Sequence, residues 1–155
     1  IRTTATTGQT EDSAKKRLIF NEYHRFARKL SVIESTGQWT YSTNAWRSAN
    51  NNNNNRVEVI IGNPGIFVSL NLMARATGAG SGGAHGIGYD TTTSTSADIY
   101  PNLSNDGHVS VHLVHAPAVG YHYYQWVENA RGNSVTTFSG VAGAFQSGIV
   151  GEATL

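Results

Sequence analysis

The sequence predicts an all-β protein, a jelly-roll-like sandwich of about eight to ten strands. Its 155 residues are enough for one domain and too few for two independent cores. Charged residues make up only 14% of the chain, and Gly, Ser, Thr and Asn fill most other polar positions, as is typical of turns and of the solvent faces of strands. After Lys29, apolar and polar residues alternate with the period of two that strands require.

The N-terminal segment shows a different pattern. Residues 1–29 are rich first in Thr and then in basic side chains, and we expect an arm in front of a β domain that spans residues 30–155. Apolar residues from Leu18 to Phe26 follow one another at helical spacings, which permits a short amphipathic helix. An irregular arm that lies on a neighbouring subunit is the alternative, and both stay open. The residues expected to dock on a neighbour are Lys15, Lys16, Arg17, Arg25 and Arg28.

Six consecutive asparagines, residues 50–55, follow the first predicted strands. The tract has no apolar area to bury, so we expect a mobile loop between strands. The candidate receptor contacts on the outside of the molecule are Trp46, Asn52 and Asn53.

Residues 56–61 and 66–76 show the clearest alternation of apolar and polar side chains in the chain. Between them, Asn63-Pro64-Gly65 has the composition of a tight turn. The two segments are therefore predicted to pair as a β-hairpin.

Glycine has two different predicted roles in the middle of the chain. Residues 84–90 are predicted to form a strand whose interior glycines, Gly86 and Gly88, let another backbone approach closely. The Gly-rich stretch 78–83 and the Thr-rich stretch 91–96 are predicted to be loops that face outward.

Three histidines, His108, His112 and His115, have a spacing that would suit metal ligands on a helix. The alternation of residues 108–115 favours a strand, which puts His108 and His112 about 13 Å apart on one face and His115 on the other. No metal site is therefore predicted within one chain. In a three-fold oligomer, His108, His112 or His122 could still ring the axis and hold an ion between subunits.

Residues 121–126 form an aromatic strand with rings on both faces. One face is expected to pack in the core of the subunit and the other against a partner subunit, since aromatic side chains supply large contact areas. The predicted interface residues are Tyr121, Tyr123, Tyr124 and Trp126.

Several classes of function find no support in the sequence. The chain has no cysteine, and its net charge of +1 is small for a nucleic-acid-binding protein. The known nucleotide-binding and hydrolase motifs are missing, so no catalytic residue and no cofactor is predicted. No apolar run reaches the roughly 18 residues of a membrane span, and membrane insertion is not expected. The least favoured alternative is a glycan hydrolase, which would need two carboxylates from loops that converge. The candidate loop aspartates are Asp90, Asp98 and Asp106.

At several segments the chain resembles a family of bacteriophage virion proteins, the small β-rich heads of fibres, spikes or capsid decorations. The resemblance extends from about Leu18 to the C-terminus. Its segments are Asn21–Arg25 (NEYHR), Trp39–Thr43 (WTYST), Trp46–Asn50 (WRSAN), Gly86–Asp90 (GIGYD), Gly120–Glu128 (GYHYYQWVE) and Gln146–Gly151 (QSGIVG).

The resemblance implies a homotrimer of jelly-roll modules on the particle surface, with a structural and attachment role rather than catalysis. Its implied partners are sister copies, other capsid or fibre proteins and a host-surface glycan or receptor. The resemblance carries no catalytic, cofactor or metal residue onto this chain. A carbohydrate- or receptor-binding adhesin is the alternative function. We also expect that removal of residues 1–29 would abolish docking on the particle and leave the β domain folded.

Overall fold

The computed structural model describes residues 11–23, 25–78, 82–97, 101–103, 106–133, 135–142 and 145–155. These residues form an all-β fold of two curled, mainly antiparallel sheets. The strands found in this part of the chain are β1 Lys16–Arg17, β2 Ala27–Ile33, β3 Gln38–Tyr41, β4 Arg47–Ser48, β5 Arg56–Ile61, β6 Val68–Gly78, β7 Gly83–Tyr89, β8 Asn102–Leu103, β9 Gly107–His115, β10 Gly120–Ala130, β11 Thr136–Ser139, β12 Val141–Ala142, β13 Phe145–Gln146 and β14 Gly148–Thr154.

The first sheet has the order β1-β5-β10-β7-β8, and β4 also pairs with β10. The long strand β10 is its centre, because one edge pairs with β5 and then β4 while the other edge pairs with β7. The pair of β1 and β5 is parallel and two residues long, whereas the other pairs are antiparallel.

The second sheet has the order β2-β14-β6-β11-β3, and β9 also pairs with β6. Here β6 is the centre, with β14 and then β11 on one edge and β9 on the other. Strands β12 and β13 pair with each other in a separate two-stranded sheet.

Apolar side chains of both sheets meet in one core. Val57 and Val59 enter it from the first sheet, and Leu70, Leu72 and Ala74 enter it from the second, all of them fully buried. Only alternate side chains of a strand face inward, which explains the period of two in the sequence. The predicted all-β class is confirmed, and two sheets around one core are consistent with the predicted sandwich. Nine strands of four or more residues within the described ranges agree with the predicted number.

The predicted hairpin of residues 56–61 and 66–76 is wrong. Both segments are strands, but β5 lies in the first sheet and β6 in the second. The connection between them therefore crosses the core from one sheet to the other. A turn signal such as Asn63-Pro64-Gly65 fixes a change of direction and leaves the pairing partner open, so the sequence could not distinguish the two arrangements.

Of the two alternatives for the N-terminal arm, the short helix does not form within residues 11–23 and 25–29. Lys16–Arg17 forms the parallel pair with β5, and β2 already begins at Ala27. Leu18 is buried, and Phe20 packs against the main core. The described part of the arm thus packs against the β domain of the same chain. Its apolar residues make separate contacts with that domain and do not form one face of a helix.

Gly88 in β7 allows a close approach of another backbone, as predicted, whereas the close neighbour of Gly86 is the side chain of Thr95. At Gly88 an added Cβ would lie 2.5 Å from the carbonyl oxygen of Thr91 and 2.7 Å from that of Ser94. The amide of Ser96 donates to a β7 carbonyl at 2.7 Å. The Thr-rich loop is at the surface, but it lies flat against the outer side of the first sheet.

Candidate functional site

Strand β10 carries polar and aromatic side chains on both faces. Its register with β5 puts Tyr124 opposite the core residue Val57 and Tyr123 opposite Glu58 on the outer side. Tyr124 is fully buried, whereas Tyr121 and Tyr123 are half-buried. The alternation of faces that the sequence predicted is therefore confirmed.

The assignment of Tyr124 and Trp126 to a subunit interface is wrong. Both side chains are fully buried in the interior of the subunit, where no partner can contact them. Tyr121 and Tyr123 are the predicted interface residues that stay accessible, and their contact with a partner remains a prediction. The next residue on their face, Gln125, is buried because the asparagine tract covers it, with its Nε2 donating to the Asn55 carbonyl oxygen at 2.9 Å.

A set of hydrogen-bonded titratable side chains lies at the beginning of β10, and we call it the His122 cluster: Tyr89, Asp90, His115, His122 and Tyr124. His122 Nδ1 lies 2.7 Å from Asp90 Oδ2 and 2.8 Å from the Tyr89 hydroxyl. His115 Nδ1 lies 3.1 Å from the Tyr124 hydroxyl. The Tyr89 ring joins the two histidines, with centroid distances of 4.2 Å to His115 and 5.0 Å to His122.

Burial shifts the pKa of three members of this cluster. It raises the pKa of both Tyr89 and Tyr124, and it lowers the pKa of His115 with a contribution from the neighbouring His122. The hydroxyls therefore stay protonated near neutral pH. His122 Nε2 is engaged too, at 2.8 Å from a backbone carbonyl oxygen, so both ring nitrogens already have partners. A general base needs a nitrogen that reaches substrate, and this cluster is better suited to joining β7, β9 and β10.

The outer side of the first sheet holds a second polar group, which we call the outer tyrosine face: Arg56, Glu58, Tyr121 and Tyr123. Arg56 Nε donates to Glu58 Oε1 at 3.0 Å, and its guanidinium lies 4.7 Å from the centroid of the Tyr123 ring. Burial alone would raise the pKa of Glu58, but hydrogen bonds from Tyr121 and Arg56 hold it below its ordinary value. The carboxylate is therefore ionised and fixed in place at neutral pH.

At the far end of β10, Glu128 is fully buried between the two sheets. Arg47 Nη2 lies 2.7 Å from its Oε1, Trp39 Nε1 donates to Oε2 at 2.8 Å, and the amide of Asn50 donates to Oε1 at 3.3 Å. Burial raises the pKa of Glu128 to about 7, and these donors limit the rise. Arg47 also lies over the Tyr41 ring, 3.7 Å from its centroid.

His85 faces Glu128 across the β7–β10 pair and is likewise fully buried. Its Nδ1 accepts a hydrogen bond from Trp126 Nε1 at 3.1 Å, and its Nε2 has no hydrogen-bond partner among the described residues. Burial lowers the pKa of His85 to about 3. The ring is therefore neutral in the folded protein.

The asparagine tract lies between two strands, as predicted, but it begins in a short 3-10 helix, Ala49–Asn51, and two of its side chains are bonded to the rest of the fold. Its mobility remains a prediction. Asn50 Nδ2 donates to Glu34 Oε2 at 3.2 Å, and Asn55 Nδ2 donates to the same oxygen at 2.5 Å. Burial by itself raises the pKa of Glu34, but these amides and Thr36 hold it below its ordinary value. Asn53 is exposed.

The candidate receptor contacts are only partly available. Asn53 accepts a hydrogen bond from Ser48 Oγ at 2.6 Å, and Asn52 and Trp46 are half-buried. Their role in receptor contact remains a prediction.

The basic residues of the arm are mostly paired with acidic residues of the same arm. Arg17 and Arg28 share Asp12 at 3.3 and 3.2 Å, and Lys16 lies 3.5 Å from Glu11. Arg25 pairs with Glu22 at 3.8 Å, whereas Lys15 forms no ion pair with a described residue. Docking of these residues on another protein remains a prediction, with much of their charge already compensated.

The structure separates the histidines as the strand prediction required. His108 and His112 are exposed on the outer side of the second sheet, while His115 faces inward. His122 is only 9% exposed and is bound within its cluster, so it is not available to line an axis between subunits. Among the described residues, no three His, Asp or Glu side chains are placed to hold a metal ion.

The loop aspartates do not converge. Asp90 belongs to the His122 cluster, which contacts the end of β9 at His115. Asp106 precedes the start of that strand and pairs with Arg75 at 2.8 Å. A nine-residue stretch of strand spans about 30 Å, far more than the 5 to 10 Å between two glycosidase carboxylates. Asp98 lies outside the described residues.

Sequence reasoning missed Arg47, His85 and Glu128 as a buried polar group. A signal for Glu128 was present, because it continues the inward-facing alternation of Tyr124 and Trp126 and so occupies a core position. Its partners come from other strands, and no spacing along the chain could identify them.

Comparison with known proteins assigns no family to the chain. No protein-family model matches it, and no curated protein is recognisably similar in sequence. Within the described residues, no helix has the length and apolar character needed to cross a membrane.

Proposed function

We propose that the chain is a non-enzymatic structural protein of a bacteriophage virion, a homotrimeric head that decorates the capsid or tips a fibre or spike. The observation that carries the proposal is an exposed apolar group on the outer side of the second sheet. Ile33, Met73, Val114 and Val150 are 48%, 51%, 56% and 42% exposed there. We call this group the outer apolar face.

The arrangement of these residues suits contact with a flat partner. Ile33 and Met73 flank Gly148 in one row across β2, β14 and β6. In the next outward row Val150 lies opposite Asn71. These two rows contain no Asp, Glu, Lys or Arg, and such depletion of charge is typical of the centre of a protein interface. Val114 lies at the rim, in a third row with Ser69, Glu152 and Lys29.

The topology supports the jelly-roll part of the proposal. The chain changes sheet between β5 and β6, β6 and β7, β8 and β9, β9 and β10, and β10 and β11. Repeated crossing between two antiparallel sheets is typical of jelly rolls.

The particle surface as location, capsid or fibre proteins as partners and contact with the host are further parts of the proposal. They rest on the resemblance to phage virion proteins and on the accessible polar face of the first sheet. An adhesin that binds a host receptor through Trp46, Asn52 and Asn53 is the second candidate, because Asn53 is exposed and Trp46 and Asn52 are only half-buried.

The oligomeric state of the full chain tests the proposal. We expect a trimer by sedimentation equilibrium at micromolar concentration. The double variant Met73→Lys, Val150→Lys should be monomeric, because two desolvated ammonium groups are costly in an interface. Val135→Lys is the matched control, since Val135 is 62% exposed outside the outer apolar face and its replacement should leave the trimer intact.

A monomeric wild type would overturn the proposed trimer. A trimer that the double variant does not weaken would show that the outer apolar face is not its interface. The virion role has its own test: antibodies against the chain should label the surface of intact particles of the phage that encodes it. Labelling of lysate proteins without labelling of particles would contradict that role.

A further inference from the structure

We propose that the outer tyrosine face is a binding site for a neutral saccharide. The proposal deepens the host-contact part of the proposed function and rests on it for its biological setting. The proposal assigns Tyr121 and Tyr123 to a sugar in place of the subunit contact that the sequence predicted. Self-association would then use the outer apolar face, which lies on the second sheet, whereas the sugar site lies on the first.

Two aromatic rings form the platform. Tyr121 and Tyr123 are alternate residues of one strand, so they stand side by side about 7 Å apart on the same face. Both are half-buried, with their positions fixed by a central strand. Such rings offer large apolar contact at little loss of rotamer entropy, which suits the C–H face of a pyranose.

Hydrogen-bonding groups lie beside the rings. Arg56 has five N–H donors, and its bond to Glu58 uses Nε. Its planar guanidinium lies over the Tyr123 ring with its side chain 27% exposed. Glu58 is held from the other side by Tyr121. The guanidinium can donate to sugar hydroxyls, and Glu58, whose side chain is only 10% exposed, holds it in place with little ordering cost on binding.

The balance of charge favours a neutral ligand. Arg56 is paired with Glu58, and the neighbouring Lys16 lies 3.5 Å from Glu11. Asp90, whose Oδ1 accepts the Tyr123 amide at 2.9 Å, is bound to His122. A strongly anionic ligand such as a nucleic acid requires several uncompensated cations. These pairs compensate Arg56 and Lys16 and leave Lys15, whose carbonyl oxygen accepts the Glu58 amide, as an unpaired cation nearby among the described residues.

A printed array of neutral and acidic oligosaccharides, probed with the labelled full chain, tests the site. We expect binding to neutral members, followed by calorimetric titration with the best of them. Tyr121→Ala and Tyr123→Ala should each weaken binding by about tenfold or more, since each removes the apolar contact of one ring with the sugar. Arg56→Gln keeps both rings and should also weaken binding by about tenfold, because it removes the charge-assisted donors.

The matched control is Tyr41→Ala, which removes a half-buried tyrosine that also lies under an arginine, Arg47, but belongs to the second sheet. Sugar affinity should not change in this variant. No binding on the array, binding to acidic members alone, or affinity unchanged in both tyrosine variants would overturn the proposal. Sedimentation of the same samples separates the sugar site from the proposed trimer. A trimer that binds no sugar would reject the sugar site alone. A monomer that binds sugar through Tyr123 would reject the trimer alone.

Discussion

Glu128 and His85 face each other in the core, and burial shifts their pKa values in opposite directions. Desolvation penalises the charged form of each, so it raises the pKa of Glu128 to about 7 and lowers that of His85 to about 3. Between pH 4.5 and 6.5, folding therefore favours protonation at Glu128 and opposes it at His85. Their effects on the pH dependence of stability oppose each other in this window.

Glu128→Gln should remove one of these two effects. The folded pKa of Glu128 lies above its ordinary value of 4.5, so its contribution to stability is greatest below pH 4.5 and declines as the pH rises to 7. The free energy of unfolding of the wild type minus that of the variant should fall by about 3 kcal/mol over this range. Urea denaturation at a series of pH values measures the difference. A difference that does not change with pH would contradict the shifted pKa.

His85→Asn should show the opposite slope. The folded pKa of about 3 lies below the ordinary value of 6.5, so acid destabilises the wild type as the unfolded chain takes up a proton between pH 6.5 and 3. The wild-type free energy of unfolding minus that of the variant should rise with pH in this window, by up to about 5 kcal/mol. The same titration series provides the measurement. A difference that falls with pH would show that the buried ring is charged.

At the scale of the elements, the position of the Thr-rich loop after β7 depends on glycine in the strand beneath it, because a side chain there would occupy the space of the loop. The carbonyl oxygens of Thr91 and Ser94 lie 2.5 and 2.7 Å from the Cβ position of Gly88. A side chain there would lift the loop from the sheet. The loop begins directly after Asp90, which is bonded to His122, so the position of the loop is linked to the His122 cluster.

Gly88→Ala is therefore expected to lower the free energy of unfolding by about 1 to 3 kcal/mol, the usual cost of overpacking. The amide of Ser96, bonded to the Ile87 carbonyl at 2.7 Å in the wild type, should exchange its hydrogen faster. Hydrogen exchange followed by NMR measures both effects. Gly37→Ala is the control, because its Cβ would meet only the Val141 carbonyl oxygen at 3.6 Å. Equal effects of the two substitutions would contradict the explanation.

At the scale of the whole molecule, the described part of the arm belongs to the fold. Leu18 is 3% exposed, the amide of Glu58 donates to the Lys15 carbonyl oxygen at 2.8 Å, and Ala27 pairs with Thr154 in the second sheet. A boundary at residue 30 would cut through β2. The earlier expectation that residues 30–155 fold without the arm therefore needs revision.

We expect a chain lacking residues 1–29 to lose cooperative thermal unfolding, as followed by circular dichroism. In the full chain, Leu18→Ala should lower the free energy of unfolding by about 2 to 4 kcal/mol, the usual cost of a buried leucine. Arg25→Ala alters an exposed ion pair and should change it by less than about 0.5 kcal/mol. Cooperative unfolding of the truncated chain, together with an unchanged free energy of unfolding in Leu18→Ala, would support the domain boundary at residue 30 that the sequence predicted.

The sequence by itself determined the all-β class, the strands at residues 56–61 and 108–115, and the two faces of β10. These features follow from a period of two, which is local and survives in any arrangement of the strands. It also predicted the close backbone approach at Gly88, since a glycine inside a strand often marks such an approach.

Only the tertiary structure decided which strands pair and which polar groups meet. The alternation in β5 and β6 fits one sheet or two equally well, so the crossing between the sheets was beyond the sequence. The burial of Tyr124 and the meeting of Glu128 with Arg47 and Trp39 depend on strands that are distant in the chain. Contacts of this kind are set by the register and packing of whole sheets, which no local pattern encodes.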